Sequence, residues 1–204
     1  MSLNKLLPLV LVLLLAAALG WILLGWKPSP ENNAPHQALD LAQRPKGGDF
    51  TLISAEGPVS LRDLRGKVVL VYFGYTWCPD ICPLNLSYLT LALNSLGPEE
   101  RERVEVLFIS VDPERDTPER LHEYTAYFAP EILGLTGTPQ QLASTAALYG
   151  AAYRRGEEGS SAMGYSVDHS AFTYLLDTTG RLKQTLDHAT PPERIVAAIR
   201  SLLN

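Results

Sequence analysis

The chain has two cysteines, and both stand in the run Cys78-Pro79-Asp80-Ile81-Cys82-Pro83. Thiolate sulfur ligates soft metal ions and exchanges with disulfides, so this pair is the first candidate for chemistry. Directly before it, residues 67–73 form a continuous β-branched and aromatic run, the pattern of a strand covered on both faces. After it, Leu86, Leu89, Leu93 and Leu96 recur at helical spacing. The pair therefore falls at the C-terminal end of a central strand, where α/β sheets place their sites. Pro83 has no N–H to give the carbonyl of Pro79, so the helix is expected to start near Pro83, with the cysteines on a turn at its positive end. Amide groups and the helix dipole there lower a thiol pKa. A purely structural disulfide carries less weight, because so short a loop gains little chain-entropy stabilisation.

The third candidate is His169, in Val167-Asp168-His169-Ser170-Ala171-Phe172. Residues 171–176 and 182–186 flank Asp177-Thr178-Thr179-Gly180, which has the composition of a hairpin turn. If His169 begins a strand running antiparallel beside residues 68–73, it lies at the same sheet end as the cysteines. Cys78, Cys82 and His169 then make a three-ligand site. Two thiolates and an imidazole suit copper, Cu(I) above all, with Cu(II) as a second state and one ion per chain. A structural zinc site would want a fourth protein ligand, and there is no third cysteine. His36, His122 and His188 read as incidental. Asp80, Asp112, Asp116 and Asp168 are candidates for orienting a ligand or a partner, against the commoner turn-forming and helix-starting roles of aspartate. Trp77 is a shield for the ion or a core residue. Residues 154–164, polar and glycine-containing, read as a flap before the His169 strand, with Met163 as an incidental loop methionine.

The elements that must position these residues follow from the remaining pattern. Residues 104–111 resemble the first strand and read as its parallel neighbour, with the leucine-faced helix as the crossover. Three later helices each open on Thr-Pro, at Thr117-Pro118, Thr138-Pro139 and Thr190-Pro191, an N-cap followed by the residue favoured in the first helical position. Residues 50–53 and 59–61 around Gly57-Pro58 suggest a small leading hairpin. Strand, helix, strand, helices, hairpin, helix is the order of a thioredoxin-like α/β domain, a central mixed sheet flanked by helices. One such domain, residues 50–204, accounts for most of the 204 residues.

Upstream, residues 6–26 carry no charged side chain and include Trp21 and Trp26, as expected of one membrane-spanning helix with interfacial aromatics. A cleaved signal peptide fits less well, since the apolar run continues past Ala16–Ala18. Residues 1–26 are thus the expected anchor, and residues 27–49, with Pro28, Pro30, Pro35 and Pro45, a flexible tether. Lys5 before the span points to a cytoplasmic N-terminus and a domain in the periplasm or an equivalent extracytoplasmic space. The chain has a net charge of −5, which argues against nucleic acid as a partner.

Four separated motifs resemble the Sco/SenC family of membrane-anchored copper chaperones. They are Tyr72-Phe73-Gly74-Tyr75-Thr76-Trp77-Cys78-Pro79-Asp80-Ile81-Cys82-Pro83, Ile109-Ser110-Val111-Asp112-Pro113-Glu114-Arg115-Asp116-Thr117, Gly134-Leu135-Thr136-Gly137 and Tyr165-Ser166-Val167-Asp168-His169-Ser170. The resemblance implies that Cys78, Cys82 and His169 ligate copper and that the cysteines cycle between dithiol and disulfide. It also implies a metallochaperone rather than an enzyme, with the binuclear copper site of cytochrome c oxidase subunit II as recipient. A copper donor chaperone and a thiol reductant are the further partners expected. Some members of the family are proposed to act as thiol reductants or redox sensors, and the motifs do not separate those roles. A thiol-disulfide oxidoreductase is the rival reading; it would carry a proline just before the strand facing its cysteines, where this chain has Val167-Asp168-His169. Peroxidase chemistry is a weaker third, since no Thr or Arg partner for a peroxidatic cysteine is identifiable.

Overall fold

The computed structural model describes residues 12–21, 24, 39–159 and 164–203. The chain divides into two compact units, residues 1–35 and 36–204. In the first, residues 12–21 are helical (α1). Among the described residues no helix is long and apolar enough to cross a membrane, and most of the expected anchor lies outside them.

The second unit runs β1 (Thr51–Ser54), β2 (Gly57–Ser60), a 3-10 turn (Leu61–Leu64), β3 (Val68–Gly74), α2 (Ile81–Asn94), α3 (Pro98–Glu102), β4 (Val104–Ser110), α4 (Pro118–Phe128), β5 (Ile132–Leu135), α5 (Pro139–Tyr149), β6 (Tyr153–Arg155), β7 (Val167–His169), β8 (Thr173–Leu176), β9 (Leu182–Leu186) and α6 (Pro192–Leu203). Five strands form the central sheet in the order β5-β4-β3-β8-β9. β4 is parallel to β3 and to β5, while β8 is antiparallel to β3 and to β9. This is the expected thioredoxin-like mixed sheet. All residues of β3 are buried, as its unbroken apolar run requires of a strand covered on both faces.

Neighbouring residues of β3 divide the core, because successive side chains point to opposite faces. The Tyr72 ring meets Phe108 of β4, whereas the Phe73 ring meets Tyr149 of α5 and Tyr174 of β8. On the Tyr72 face, α2 buries Leu86, Leu89 and Leu93. Asn85 of the same helix donates to the Thr173 hydroxyl at 3.0 Å, fastening α2 to the start of β8.

Two glycines permit close approaches that bear on the site. A Cβ on Gly74 would lie 2.7 Å from the Cys82 sulfur and 2.7 Å from the Phe108 ring, so only a bare backbone lets α2 begin under the end of β3. A Cβ on Gly134 would lie 2.9 Å from the backbone of Leu121, which is how α4 lies down on β5.

Several elements differ from expectation. β5, α3 and the β6–β7 ribbon carry no strong periodicity; β5 is four residues long and β6 and β7 three each, too short for a pattern to accumulate. Thr117 and Thr138 cap α4 and α5 as expected, accepting from the N–H of Arg120 and Gln141. Thr190 does not cap α6: its hydroxyl turns back to the Asp187 carbonyl at 2.7 Å, and the helix starts at Pro192. Residues 39–49, inside the stretch expected as a tether, contain no regular element but are hydrogen-bonded to the domain. Leu39 N–H donates to the His169 carbonyl at 3.0 Å, and Ala42 N–H to that of Gly150 at 2.8 Å. Asp49 pairs with Arg62 at 2.9 Å and Arg65 at 2.5 Å.

Two outcomes are expected from this packing. Gly74→Ala overpacks the Cys82 contact and lowers unfolding free energy by about 1–3 kcal/mol, read by urea denaturation. Thr138→Ala costs about 1 kcal/mol through its lost cap, whereas Thr190→Ala changes stability by less than about 0.5 kcal/mol.

Candidate metal centre

β3 ends at Gly74 and the chain turns through residues 75–80 into α2. The Cys78 N–H closes that turn on the Tyr75 carbonyl at 3.2 Å. α2 starts at Ile81, two residues before the expected Pro83, so Cys82 lies in its first turn and Cys78 outside it. The earlier start is tolerated because amides in the first turn of a helix have no intrahelical acceptor, and Pro83 gives up only one of those. The first 13-atom ring closes from Leu84 N–H to the Asp80 carbonyl at 3.3 Å.

Cys78, Cys82 and His169 are all buried, and their ligating atoms lie within 4.8 Å of one another. The Cys82 sulfur is 3.4 Å from His169 Nε2. Both cysteines are free thiols. His169 Nδ1 faces the Ser170 carbonyl at 3.1 Å, an acceptor only, so the ring proton sits on Nδ1 and the Nε2 lone pair is aimed at the sulfurs. Tyr72 and Tyr75 meet the imidazole edge-on, with ring centroids 6.3 and 5.8 Å away.

The two thiols are not equivalent, although the helix dipole is expected to lower both. Burial pushes the Cys82 thiol well up, and the neighbouring Cys78 charge adds to this. Cys78 is pulled well below the usual thiol range, first by the hydrogen bond from Cys82 and, against the opposing effect of burial, by the backbone N–H groups of Asp80 and Cys82. Of the two, Cys78 is therefore the more readily ionised and Cys82 the one that holds its proton more tightly. Desolvation overrides the dipole at the deeper sulfur.

His169 reaches the cysteines by a route other than the expected one. It is not the first residue of the strand beside β3; it ends β7, which pairs with β6 in a separate two-stranded ribbon, opposite Tyr153. β8 begins later, at Thr173, opposite Tyr72. The antiparallel direction of β8 still brings its start, and the ribbon before it, to the end of β3 where the cysteines lie.

The aspartates divide by position. Asp80 is exposed at the N-cap of α2 and its side chain makes no cap bond. Asp168 pairs with Arg154 at 2.9 Å. Asp116 is fully buried and accepts from the Thr76 N–H at 3.0 Å, the Thr76 hydroxyl at 2.6 Å and the Ser110 hydroxyl at 2.7 Å, bracing the cysteine turn from behind. Asp112 accepts from the Tyr165 hydroxyl at 2.7 Å and from Arg115 Nε at 2.5 Å. The Trp77 ring is half-buried under the Arg120 guanidinium, 4.4 Å from its centroid. His122 is exposed on α4 and His188 follows β9, both away from the described cluster; His36 and Met163 lie outside the described residues. The expected flap is partly the ribbon itself, with Gly156 N–H donating to the Ser166 carbonyl at 2.8 Å. Sequence reasoning missed Tyr72, Tyr75, Thr76 and Gly74 as walls and supports of the site. Their one visible signal was membership of the cysteine motif.

Two sulfurs and an imidazole nitrogen at this spacing can bind a soft metal ion, and the same two sulfurs can close into a disulfide. The SCO1/SenC family model matches residues 40–204. An SCO2-like protein of Rickettsia conorii is 37% identical over 158 residues, covering 76% of this chain and 76% of the relative. The crystal structure of Arabidopsis thaliana ScoI with copper bound superposes with a TM-score of 0.69 at 36% identity, covering 77% of this chain and 97% of that one. BsSco, a member of the Sco family of cytochrome c oxidase assembly proteins in which a disulfide switch has been identified, superposes with a TM-score of 0.60 at 25% identity, covering 82% and 99%. With its cysteine pair and histidine brought together on this fold, and the family pattern running from residue 40 to its end, the chain belongs to the SCO1/SenC family.

Proposed function

We propose that the protein carries one copper ion on Cys78, Cys82 and His169 and passes it to a partner, the recipient being the binuclear copper site of cytochrome c oxidase subunit II. The observation that carries this reading is the convergence of the three donor atoms within 4.8 Å in a buried site. Soft thiolates with one imidazole favour Cu(I) and tolerate its low coordination number. The copper-bound Arabidopsis relative supports the choice of metal. Transfer proceeds by ligand exchange as competing thiolates of the partner replace Cys78 and Cys82 in turn. Thiol-disulfide exchange with a partner disulfide, which is reduced to its dithiol as Cys78 and Cys82 close into a disulfide, would keep the emptied site from recapturing the ion, and a thiol reductant would return the pair to the dithiol. A copper donor chaperone loads it. Residues 1–26 serve as the membrane anchor, with the domain in the periplasm or an equivalent extracytoplasmic space.

A second reading, a thiol-disulfide oxidoreductase or redox sensor, draws on the asymmetry of the thiols. Cys78 is a ready thiolate nucleophile and Cys82 a buried resolving thiol. The disulfide switch in BsSco supports it. His169 separates the two readings, because an oxidoreductase has no need of it as a ligand.

In competition titrations of the reduced full chain with Cu(I), one equivalent binds. His169→Ala weakens binding by at least about tenfold, the loss typical of removing even an outer partner in a metal site, and Cys78→Ser abolishes tight binding. Unchanged affinity in His169→Ala, with thiol exchange intact, decides for the oxidoreductase. The pH dependence has a definite sign. Binding must expel the Cys82 proton, so about one proton is released per ion near neutral pH, and affinity rises about tenfold per pH unit until that thiol ionises unaided. Calorimetry in buffers of differing ionisation enthalpy counts the proton.

A further inference from the structure

His169 sits on a ribbon outside the central sheet, so something other than the sheet ladder must hold its ring over the sulfurs. On the far side of His169 the backbone is tied down: Ser170 N–H donates to the Ala152 carbonyl at 2.8 Å, and the His169 carbonyl accepts from Leu39 at 3.0 Å. On the near side β7 is paired with β6, and what fastens that ribbon to the rest of the domain includes Tyr165, four residues earlier and buried. Its ring lies between two guanidinium groups, 3.7 Å from Arg115 Cζ and 3.8 Å from Arg155 Cζ, an arrangement in which both cations face the π cloud. Its hydroxyl donates to Asp112 at 2.7 Å, and its carbonyl accepts from Arg115 at 2.9 Å. From there the bonding continues inward. The Asp112 N–H donates to the Ser110 hydroxyl at 3.0 Å, that hydroxyl donates to Asp116 at 2.7 Å, and Asp116 holds Thr76, two residues before Cys78. One chain of bonds thus joins the ribbon that carries the imidazole to the turn that carries the first sulfur. The near side is also held by the Val167 N–H on the Tyr75 hydroxyl at 3.2 Å and by the pairing of Asp168 and Val167 with Arg154 and Arg155 of β6. The Arg154–Asp168 ion pair at 2.9 Å and the Gly156 N–H on the Ser166 carbonyl at 2.8 Å add to this, so β6 and β7 move together.

We propose that Tyr165, clamped by Asp112, Arg115 and Arg155, is a positioning residue that locks the His169 strand over the cysteine pair and sets how much the imidazole contributes to holding the metal. The proposal rests on the copper reading for its consequence, but not for the lock itself. Releasing the clamp loosens the near end of the β6–β7 ribbon, so that it swings about the tied Ala152–Ser170 pair and withdraws Nε2 from the sulfurs while the cysteine turn and α2 stay in place. That is the opening through which a recipient's ligands would reach the ion.

The test uses the full chain with Tyr165→Phe, which keeps the ring between the arginines and removes only the hydroxyl, and Tyr165→Leu, which removes both. In the metal-free, reduced protein, amide exchange at residues 167–169 accelerates by about tenfold or more in Tyr165→Leu and less in Tyr165→Phe, while the amides of β3 and α2 keep their protection. In Cu(I) competition titrations, Tyr165→Leu weakens binding by about tenfold in the parent and by less than about twofold in a His169→Ala background, since a lock acting through His169 has nothing left to position. Equal losses in both backgrounds, acceleration spread equally over β3 and α2, or unchanged exchange at 167–169 would each overturn the proposal. If His169→Ala alone leaves Cu(I) affinity unchanged, the copper reading fails, and the exchange measurement still decides for or against the lock.

Discussion

The 3.4 Å approach of the Cys82 sulfur to His169 Nε2 joins residues 87 positions apart, and the chemistry of the protein depends on it. Three constraints meet there. β8 must run antiparallel to β3, so that the segment before it returns to the end where β3 finishes. α2 must start beneath that end, which the bare backbone of Gly74 allows. The imidazole must present Nε2, which the Ser170 carbonyl enforces by engaging Nδ1. Remove any one and the sulfurs and nitrogen no longer share a centre.

Burial then makes the two sulfurs different. Cys82, with no exposed surface, keeps its proton, while Cys78 at the rim gathers the hydrogen bonds that stabilise its charge. On the proposed copper reading, uptake of a soft cation displaces the proton of the deeper sulfur, and Cys78 is the less deeply buried of the two. The same asymmetry suits both the binding of a soft metal ion and thiol-disulfide exchange.

Around the site, the two buried carboxylates are both bonded. Asp116 has no exposed surface and three donors, and Asp112 joins Tyr165 to Arg115. Buried and satisfied networks of this kind hold a single arrangement of their neighbours, since any displacement leaves a polar atom without a partner at a cost of about 1–3 kcal/mol. The segment from Ser110 to Asp116 does this bracing without touching the donor atoms, so its residues act on the site through Thr76 and Tyr165.

What the sequence determined by itself were features that repeat or punctuate. The long apolar runs of β3 and β4, the leucine face of α2, the Thr-Pro caps of α4 and α5 and the Asp177–Gly180 turn each extend over enough neighbouring residues to be read locally, and together they order the elements of a thioredoxin-like domain. Cys78 and Cys82 stood out as a pair, and the direction of β8 was enough to bring His169 toward them. Only the tertiary structure decided that β5 is a strand, that His169 rides on a ribbon outside the sheet, that α2 starts at Ile81, and that Thr190 turns away from α6. It alone divided the two thiols and brought Tyr165 between Arg115 and Arg155. The physical reason is common to all of these: desolvation, cation–aromatic contact and short-strand pairing depend on neighbours distant in the chain, and no local pattern of residues encodes how deep a group will lie.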